Sequence, residues 1–489
     1  MFRDSASIQT DATVDCDVCV VGTGPAGLSL ALQFMQGGLR VALLESGGFE
    51  FEPEVEMLSS ASVSGTVHGA WAADRLRYFG GTSNHWGGSC IQYGPTVLGA
   101  RDWLDLAAWP LDREDLEPWY RLAAEFLTIR ANEVGGARSQ PGTRLLRSHV
   151  AVPLHVRLGP HYRATVCEAP RIDLVLHATL TALHQVDGTV THAEVAKADG
   201  RRFRVRARSF VLAAGLENAR LLLLSESVLG AMPAASRDLV GRYLMGHVAQ
   251  SGALIVNRKS PHADALLAPD GFFALDDATQ RADRTIGGAI QLGLIPDDPR
   301  MRQMVAERTR ARDAIRPALH TTSSYLEPDW GGVSGLFTAV LEQLPSHRNR
   351  VQLGSSRNRF GVRTMHVHME QGPADVSAVV RCMRSFAREL GRLGGDADDQ
   401  VMELPHASNL PRTPPGARGR PAACGACILD DGLSGHGELP KRPKGSDCKS
   451  DCSAFGGSNP SLATDPKPRP RGGASSLPQM ARWIPSEPR

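Results

Sequence analysis

A chain of 489 residues that is 42% hydrophobic and 22% charged has the make-up of an ordinary globular protein of about two or three domains. Its 54 basic and 52 acidic residues leave a net charge of +2, which argues against a nucleic-acid binder and its strong basic patch. There is no apolar run of the roughly 18 residues a membrane span needs and no basic-then-apolar or twin-arginine leader at the start. The cytoplasm is therefore the expected compartment, with export on a partner's signal left open.

Residues 14–45 carry the most informative pattern. Residues 18–21 form a short apolar run that reads as a buried strand. Gly22, Gly24 and Gly27 follow in G-x-G-x-x-G spacing, residues 28–35 read as an apolar helix, and Gly37-Gly38 ends it. Residues 39–44 form a second strand that closes on Glu45. In such a unit the first glycine permits a tight turn. The second lets a pyrophosphate approach the backbone, and the third lets helix pack on strand. The helix start offers free N–H groups to phosphates, and an acid at the end of the next strand reaches ribose hydroxyls. Strand, turn, helix and acid together mark a dinucleotide site. Cys16 and Cys19 make a C-x-x-C on or beside this strand. Side chains three apart on a strand point to opposite faces, which disfavours a redox or metal pair. Cys90, Cys167 and Cys382 read as isolated structural thiols.

Residues 75–90, RLRYFGGTSNHWGGSC, are glycine- and aromatic-rich and read as a loop whose backbone approaches a ligand. A helix is expected from Trp109, with Pro110 just inside its start, running through Tyr120 to Leu127. Residues 135–147 read as an exposed loop. Residues 172–182 read as one strand, and a hairpin follows through Gly188 and Gly200. Residues 210–215 form a buried strand ending in glycine, and Asn218 opens a helix, so this unit is expected to rejoin the first parallel sheet. Residues 252–256 and 286–294 read as strands and 299–316 as a charged helix. Residues 350–353 and 363–369 read as paired strands and 373–393 as an amphipathic helix. From residue 405 onward lie 14 of the 32 prolines, four of the nine cysteines and only two aromatics, Phe455 and Trp483. Such a composition buries little apolar surface, so the segment is expected to be irregular.

Taken in order, the runs DVCVVGTGPAGLSLA, RVALLESGG, FGGTSNHWGG, WPLDREDLEPWY, VLAAGLENARLLL, VGRYLMGHV, LEQLPSHRNRVQL and RTMHVHMEQG resemble the glucose–methanol–choline flavoprotein oxidoreductases, in particular their bacterial sugar and polyol dehydrogenase branch. The resemblance spans residues 15–395. It implies FAD rather than NAD. It implies an α/β fold with a doubly wound, Rossmann-like FAD-binding domain plus an α+β substrate domain on a mixed or antiparallel sheet. The FAD domain is expected over 14–250, with a remnant at 426–463, the substrate domain over 251–400, and the irregular tail over 405–489. The implied reaction oxidises the CH–OH group of an alcohol, sugar or polyol, with hydride passing to flavin N5 while a base takes the hydroxyl proton. The acceptor (oxygen, a quinone or a cytochrome) is left open.

Carried over by residue, the resemblance places the pyrophosphate on Gly22, Gly24 and Gly27 and the adenosine ribose on Glu45. It places Gly81, Thr82 and Asn84 along the flavin ring and diphosphate, Leu180 at the adenine, and Ala214 and Asn218 beside the dinucleotide. His85, in the run Ser83-Asn84-His85-Trp86, matches a histidine that bonds covalently to flavin in one branch; the alternative is a histidine that packs on the ring.

The C-terminal part departs from the family. Thr413 falls where the base histidine is expected, with Gly416 on the motif glycine. His406 is the nearest histidine, His436-Gly437 echoes a second family stretch, and Asn459, in Gly-Ser-Asn-Pro-Ser, matches a member of the catalytic pair. Three readings stand side by side: a disrupted C-terminus and a crippled enzyme, an active enzyme with His406 or His436 as altered base, and a small zinc module on Cys424, Cys427, Cys448 and Cys452.

Overall fold

The computed structural model describes residues 2–66, 75–86, 90–129, 138–149, 157–257, 271–294 and 332–394. The chain opens on strands β1 (Phe2–Asp4), β2 (Thr13–Asp15) and β3 (Val18–Val21). Helix α1 (Pro25–Gln36) leads to β4 (Val41–Leu44). Next come β5 (Ala61–Gly65), β6 (Arg138–Ser139), β7 (Leu145–His149), β8 (Ile172–Leu176) and β9 (Thr179–Val186). Strands β10 (Thr189–Ala196), β11 (Arg202–Arg206) and β12 (Ser209–Leu212) follow. The later strands are β13 (His247–Asn257), β14 (Gly271–Leu275), β15 (Gly288–Leu294), β16 (Gly332–Glu342), β17 (Arg350–Arg357) and β18 (Arg363–Met369).

The organising layer is a parallel sheet in the order β1-β8-β4-β3-β12. Parallel strands need crossovers, and covering both faces makes their sequences apolar throughout. Strand β3 shows this: Val18 and Val20 pack with Leu28 and Leu32 of α1, while Cys19 and Val21 pack with Leu180, Val195 and Phe203 on the other side. That other side is a four-stranded sheet, β2-β11-β10-β9. The unit at 209–224 does rejoin the first sheet, because β12 pairs parallel to β3. A mixed α/β architecture with an FAD-type doubly wound layer is the fold observed.

A six-stranded antiparallel sheet, β13-β16-β15-β14-β7-β6, forms a further layer. The helix Pro373–Gly394 covers it, setting Ala378, Cys382, Met383, Phe386 and Leu390 against Phe273, Ile290, Ala339 and Leu341. A small mixed sheet, β17-β18-β5, packs its inner face on Leu216 and Ala219.

Several expectations are corrected. The helix after Trp109 is Arg113–Phe126, and Pro110 lies before it: Asp112 caps it by accepting from the Asp115 N–H, and Asp115 accepts from the Asp112 N–H in return. That reciprocal capping box fixes the start. Residues 172–182 are two strands in two sheets, broken at His177, whose φ of 52° turns the chain. Residues 138–147, the described part of the loop expected at 135–147, and the two residues after them are not an exposed loop. They add β6 and β7 to the six-stranded sheet, and Leu145 is buried against Phe273. Cys16 precedes β3 and packs on the same apolar cluster as Cys19 rather than on the opposite face; both are free thiols, and burial pushes Cys16 up to about 11 and holds Cys19 well above an ordinary thiol. The expected helix at 299–316 and everything from residue 395 onward lie outside the described residues. No described helix is long and apolar enough to cross a membrane.

Candidate functional site

The glycine turn is built by contact, residue by residue. Gly22 ends β3 with a φ of 101°, and a Cβ there would lie 2.7 Å from the Ala213 carbonyl oxygen at the end of β12. A Cβ on Gly27 would lie 1.8 Å from the Gly22 oxygen, so helix and strand meet backbone to backbone. Gly24 differs: among the described residues, nothing lies within 4 Å of where its Cβ would be. No side chain caps α1, which begins at Pro25 directly after it. The opening therefore presents uncapped helix N–H groups and the positive dipole end to a glycine-lined cradle, the environment a pyrophosphate needs.

Two distant segments complete the cradle. The glycine loop at 75–86 contains one 3₁₀ turn, Gly81–Asn84, and a Cβ on Gly81 would sit 3.5 Å from the Gly24 Cα. At the β12 end, the Ala214 N–H donates to Asn218 Oδ1 at 2.8 Å, which holds the turn into the helix Glu217–Leu224. Gly22, Gly24, Gly27, Gly81, Ala214 and Asn218 are thus brought together.

Glu45 ends β4 with its carboxylate buried. Oε2 accepts from the Thr23 N–H at 3.1 Å and from the Thr23 hydroxyl, and Oε1 accepts from the Gly47 N–H at 3.2 Å. The Gly80 N–H in turn donates to Thr23 Oγ1 at 3.2 Å. A carboxylate offers about four acceptor positions, so among the described residues one on Oε1 is left for a ribose hydroxyl. Leu180 lies in β9, buried in the cluster that holds Val21 and Leu44. The start of that strand is drawn to Glu45, whose carbonyl accepts from the Ala178 N–H at 2.8 Å.

The other loop residues have different work. The Asn84 amide donates to the Phe79 carbonyl at 2.8 Å and accepts from the Gly159 N–H at 2.9 Å, tying the loop to the helix Leu158–Glu168. Thr82 Oγ1 accepts from the Leu76 N–H at 3.1 Å, inside the loop. His85 follows the 3₁₀ turn, exposed and edge-on to Tyr78 with ring centroids 6.1 Å apart.

Beside the cradle lies a buried charge cluster that spacing did not reveal. Glu217 faces Arg77 at 3.0 Å, Arg220 at 2.8 Å and Arg75 at 3.6 Å. Burial alone would raise the Glu217 carboxyl, but Arg77, Arg220 and Arg75 hold it down to about 2. Arg77 also donates to Ser59 Oγ at 2.6 Å and to Ser46 Oγ at 3.1 Å. The sequence signals were present but weak: Arg-x-Arg before the glycine pair, and Glu-x-x-Arg at a helix start. Thr23 carries no such signal, because it is the variable position between two motif glycines.

Residues 17–257 match the family model described as FAD binding domain. The cofactor is FAD. The open space at Gly24, the uncapped helix start and the acceptor position free on Glu45 fit such a dinucleotide. The chain is 30% identical over 153 residues to 6'''-hydroxyparomomycin C oxidase of Streptomyces lividus, covering 28% of this chain and 27% of that protein. It is 24% identical over 347 residues to 2-methyl-1,2-propanediol dehydrogenase of Mycolicibacterium austroafricanum, covering 53% of this chain and 60% of that protein. The chain thus spans between about a quarter and three fifths of the length of these curated relatives. Among solved structures it is similar to pyridoxine 4-oxidase from Mesorbium loti, at 16% identity and a TM-score of 0.45, with 79% of this chain and 83% of that chain covered. It is also similar to formate oxidase from Aspergillus oryzae, at 16% identity and a TM-score of 0.42, with 79% and 82% covered.

The candidates for catalysis, Asn459, His436 and His406, lie outside the described residues, as do Thr413 and the four tail cysteines. Among the described residues, no three His, Cys, Asp or Glu side chains group to hold a metal ion.

Proposed function

We propose that this chain is an FAD-dependent dehydrogenase or oxidase of the glucose–methanol–choline type, which oxidises the CH–OH group of an alcohol, sugar or polyol. The observation that supports it best is the meeting of three segments, 22–27, 75–86 and 213–218, on one glycine-lined opening. The two curated relatives, one named as an oxidase and one as a propanediol dehydrogenase, point the same way. Bound in the opening, FAD supplies the hydride acceptor, flavin N5. The chain's own residues bind and orient it. Gly24 and the α1 start take the pyrophosphate, Glu45 Oε1 takes a ribose hydroxyl, and Leu180 stands by the adenine. Gly81, Thr82 and Asn84 shape the flavin side, with Ala214 and Asn218 on the opposite wall.

Substrate binding is assigned to the six-stranded sheet and its helix, that is, to residues 251–400 together with strands β6 and β7. The substrate's hydroxyl proton falls to His406 or His436, with Asn459 as partner, because a neutral imidazole takes a proton readily near pH 7. The electron acceptor is oxygen, a quinone or a cytochrome, and the cytoplasm is the proposed compartment.

The experiment is an anaerobic titration of the holoprotein with a panel of alcohols, sugars and polyols while the flavin absorbance is followed. Bleaching by one of them supports the assignment. Thr413 at the expected base position favours a second reading, a flavin-binding protein that has lost catalysis. A yellow protein that none of the panel bleaches selects that second reading.

A further inference from the structure

We infer that Thr23 is a positioning residue that couples the adenosine half of the FAD site to its flavin half. This rests on the ribose placement at Glu45 proposed above. Thr23 is completely buried, and its hydroxyl bonds both the end of β4 and the glycine loop. It donates to Glu45 Oε2 and accepts from the Gly80 N–H at 3.2 Å. Gly80 has a φ of 94°, a backbone state that glycine alone adopts without steric cost, and a Cβ there would lie 2.4 Å from the Gly159 nitrogen; it immediately precedes Gly81, the residue that faces Gly24.

The direction of each bond matters. A hydroxyl has one proton to give. Because the Gly80 N–H can only donate, the Thr23 proton is committed to Glu45. Together with the Thr23 N–H at 3.1 Å this occupies Oε2, so the carboxylate is held with Oε1 as the atom left for the ribose. Ordering Glu45 around a ribose therefore orders Thr23, and an ordered Thr23 fixes the loop that carries Gly80 and Gly81. Two ligand halves that each pay to order a shared element bind better together than apart.

The test uses the full-length apoprotein and three probes: FAD, FMN, and adenosine, which carries the ribose hydroxyls but no phosphate to collide with FMN. Thr23→Val is nearly isosteric and removes the hydroxyl, whereas Thr23→Ser keeps it and loses the methyl. FAD affinity, read from flavin fluorescence, is expected to fall about tenfold in Thr23→Val, the scale of one buried hydrogen-bonded link. It is expected to stay within about twofold in Thr23→Ser. Saturating adenosine should tighten FMN binding to the wild type and leave Thr23→Val unmoved. The inference is overturned if Thr23→Val binds FAD as the wild type does, or if adenosine leaves FMN affinity unchanged although it binds. Should the valine variant fail to fold, the serine variant decides. Retained FAD affinity assigns the effect to the hydroxyl, and a loss assigns it to packing and overturns the inference. A separate arm, Glu45→Gln, tests the ribose placement itself. If adenosine fails to bind the wild type and Glu45→Gln takes FAD normally, the placement has failed rather than the coupling.

Discussion

Arg77 and Glu217 are 140 residues apart in the chain and 3.0 Å apart in the fold. Their contact, with Arg75 and Arg220 beside it, pins the glycine loop to the turn that leaves β12, so the far walls of the FAD opening are set by one buried carboxylate. Removing a single partner from such a cluster strands buried charge. Glu217→Gln is expected to destabilise the protein by about 3–5 kcal/mol, measured by urea unfolding. The same carboxylate sets a pH dependence. Its folded pKa of about 2 lies below the ordinary value of 4.5. Its contribution is therefore full above pH 4.5 and is lost as pH falls towards 2, and Glu217→Gln should flatten that part of the stability curve.

The two glycines Gly24 and Gly27 belong to one motif but should fail in different ways. In Gly27→Ala the methyl meets the Gly22 oxygen, a backbone atom that has little room to yield. A loss of about 3 kcal/mol is expected on unfolding, with little FAD retained. In Gly24→Ala the methyl meets no atom of the described residues but enters the space needed by the pyrophosphate. Unfolding of the apoprotein should change by less than about 1 kcal/mol, while FAD affinity falls about tenfold or more. Paired unfolding curves and FAD titrations check both.

His177 closes the start of the chain onto the site. Its ring contacts Asp4 through Nδ1 and Glu52 Oε1 through Nε2 at 2.8 Å, and its N–H donates to the Gly47 carbonyl at 3.1 Å. Burial would lower its pKa, but the hydrogen bonds that the ring donates to the Glu52 and Asp4 carboxylates outweigh that and raise it. A raised histidine stabilises the fold below its unfolded pKa, and that stability is lost as pH rises through the folded one. The melting temperature should therefore fall across the range above about pH 6.5. His177→Gln should abolish that slope, and hydrogen exchange in β1 should quicken with it.

His85 is the candidate for a covalent bond to flavin. If the bond forms, acid precipitation leaves the yellow colour in the pellet of the wild type and releases it from His85→Ala. Complete release from both proteins would assign His85 a packing role beside Tyr78.

What the sequence determines by itself is local. Gly22, Gly24, Gly27 and Glu45 fall within one strand–turn–helix–strand unit, where backbone geometry ties residue spacing to position, and the parallel strands announce themselves as apolar runs. The antiparallel hairpin β9–β10 and the strand β12 follow from the same kind of signal. Where one strand stops and another starts was less legible. His177 breaks an alternating run because Asp4 and Glu52, far away in the chain, hold it in a left-handed turn. Residues 135–147 read as a loop because β14, the partner of β7, lies more than a hundred residues later.

The tertiary structure alone decides which side chains serve the site. Asn84 turns inward to bind Phe79 and Gly159, and Thr23 bonds both Glu45, 22 residues on, and Gly80, 57 residues on. Arg77 and Glu217 meet only because the loop at 75–86 folds against the β12 turn. Periodicity gives each residue its face on its own element. Partner choice between elements is fixed by where burial and hydrogen bonding bring backbones together, and that is a property of the folded chain.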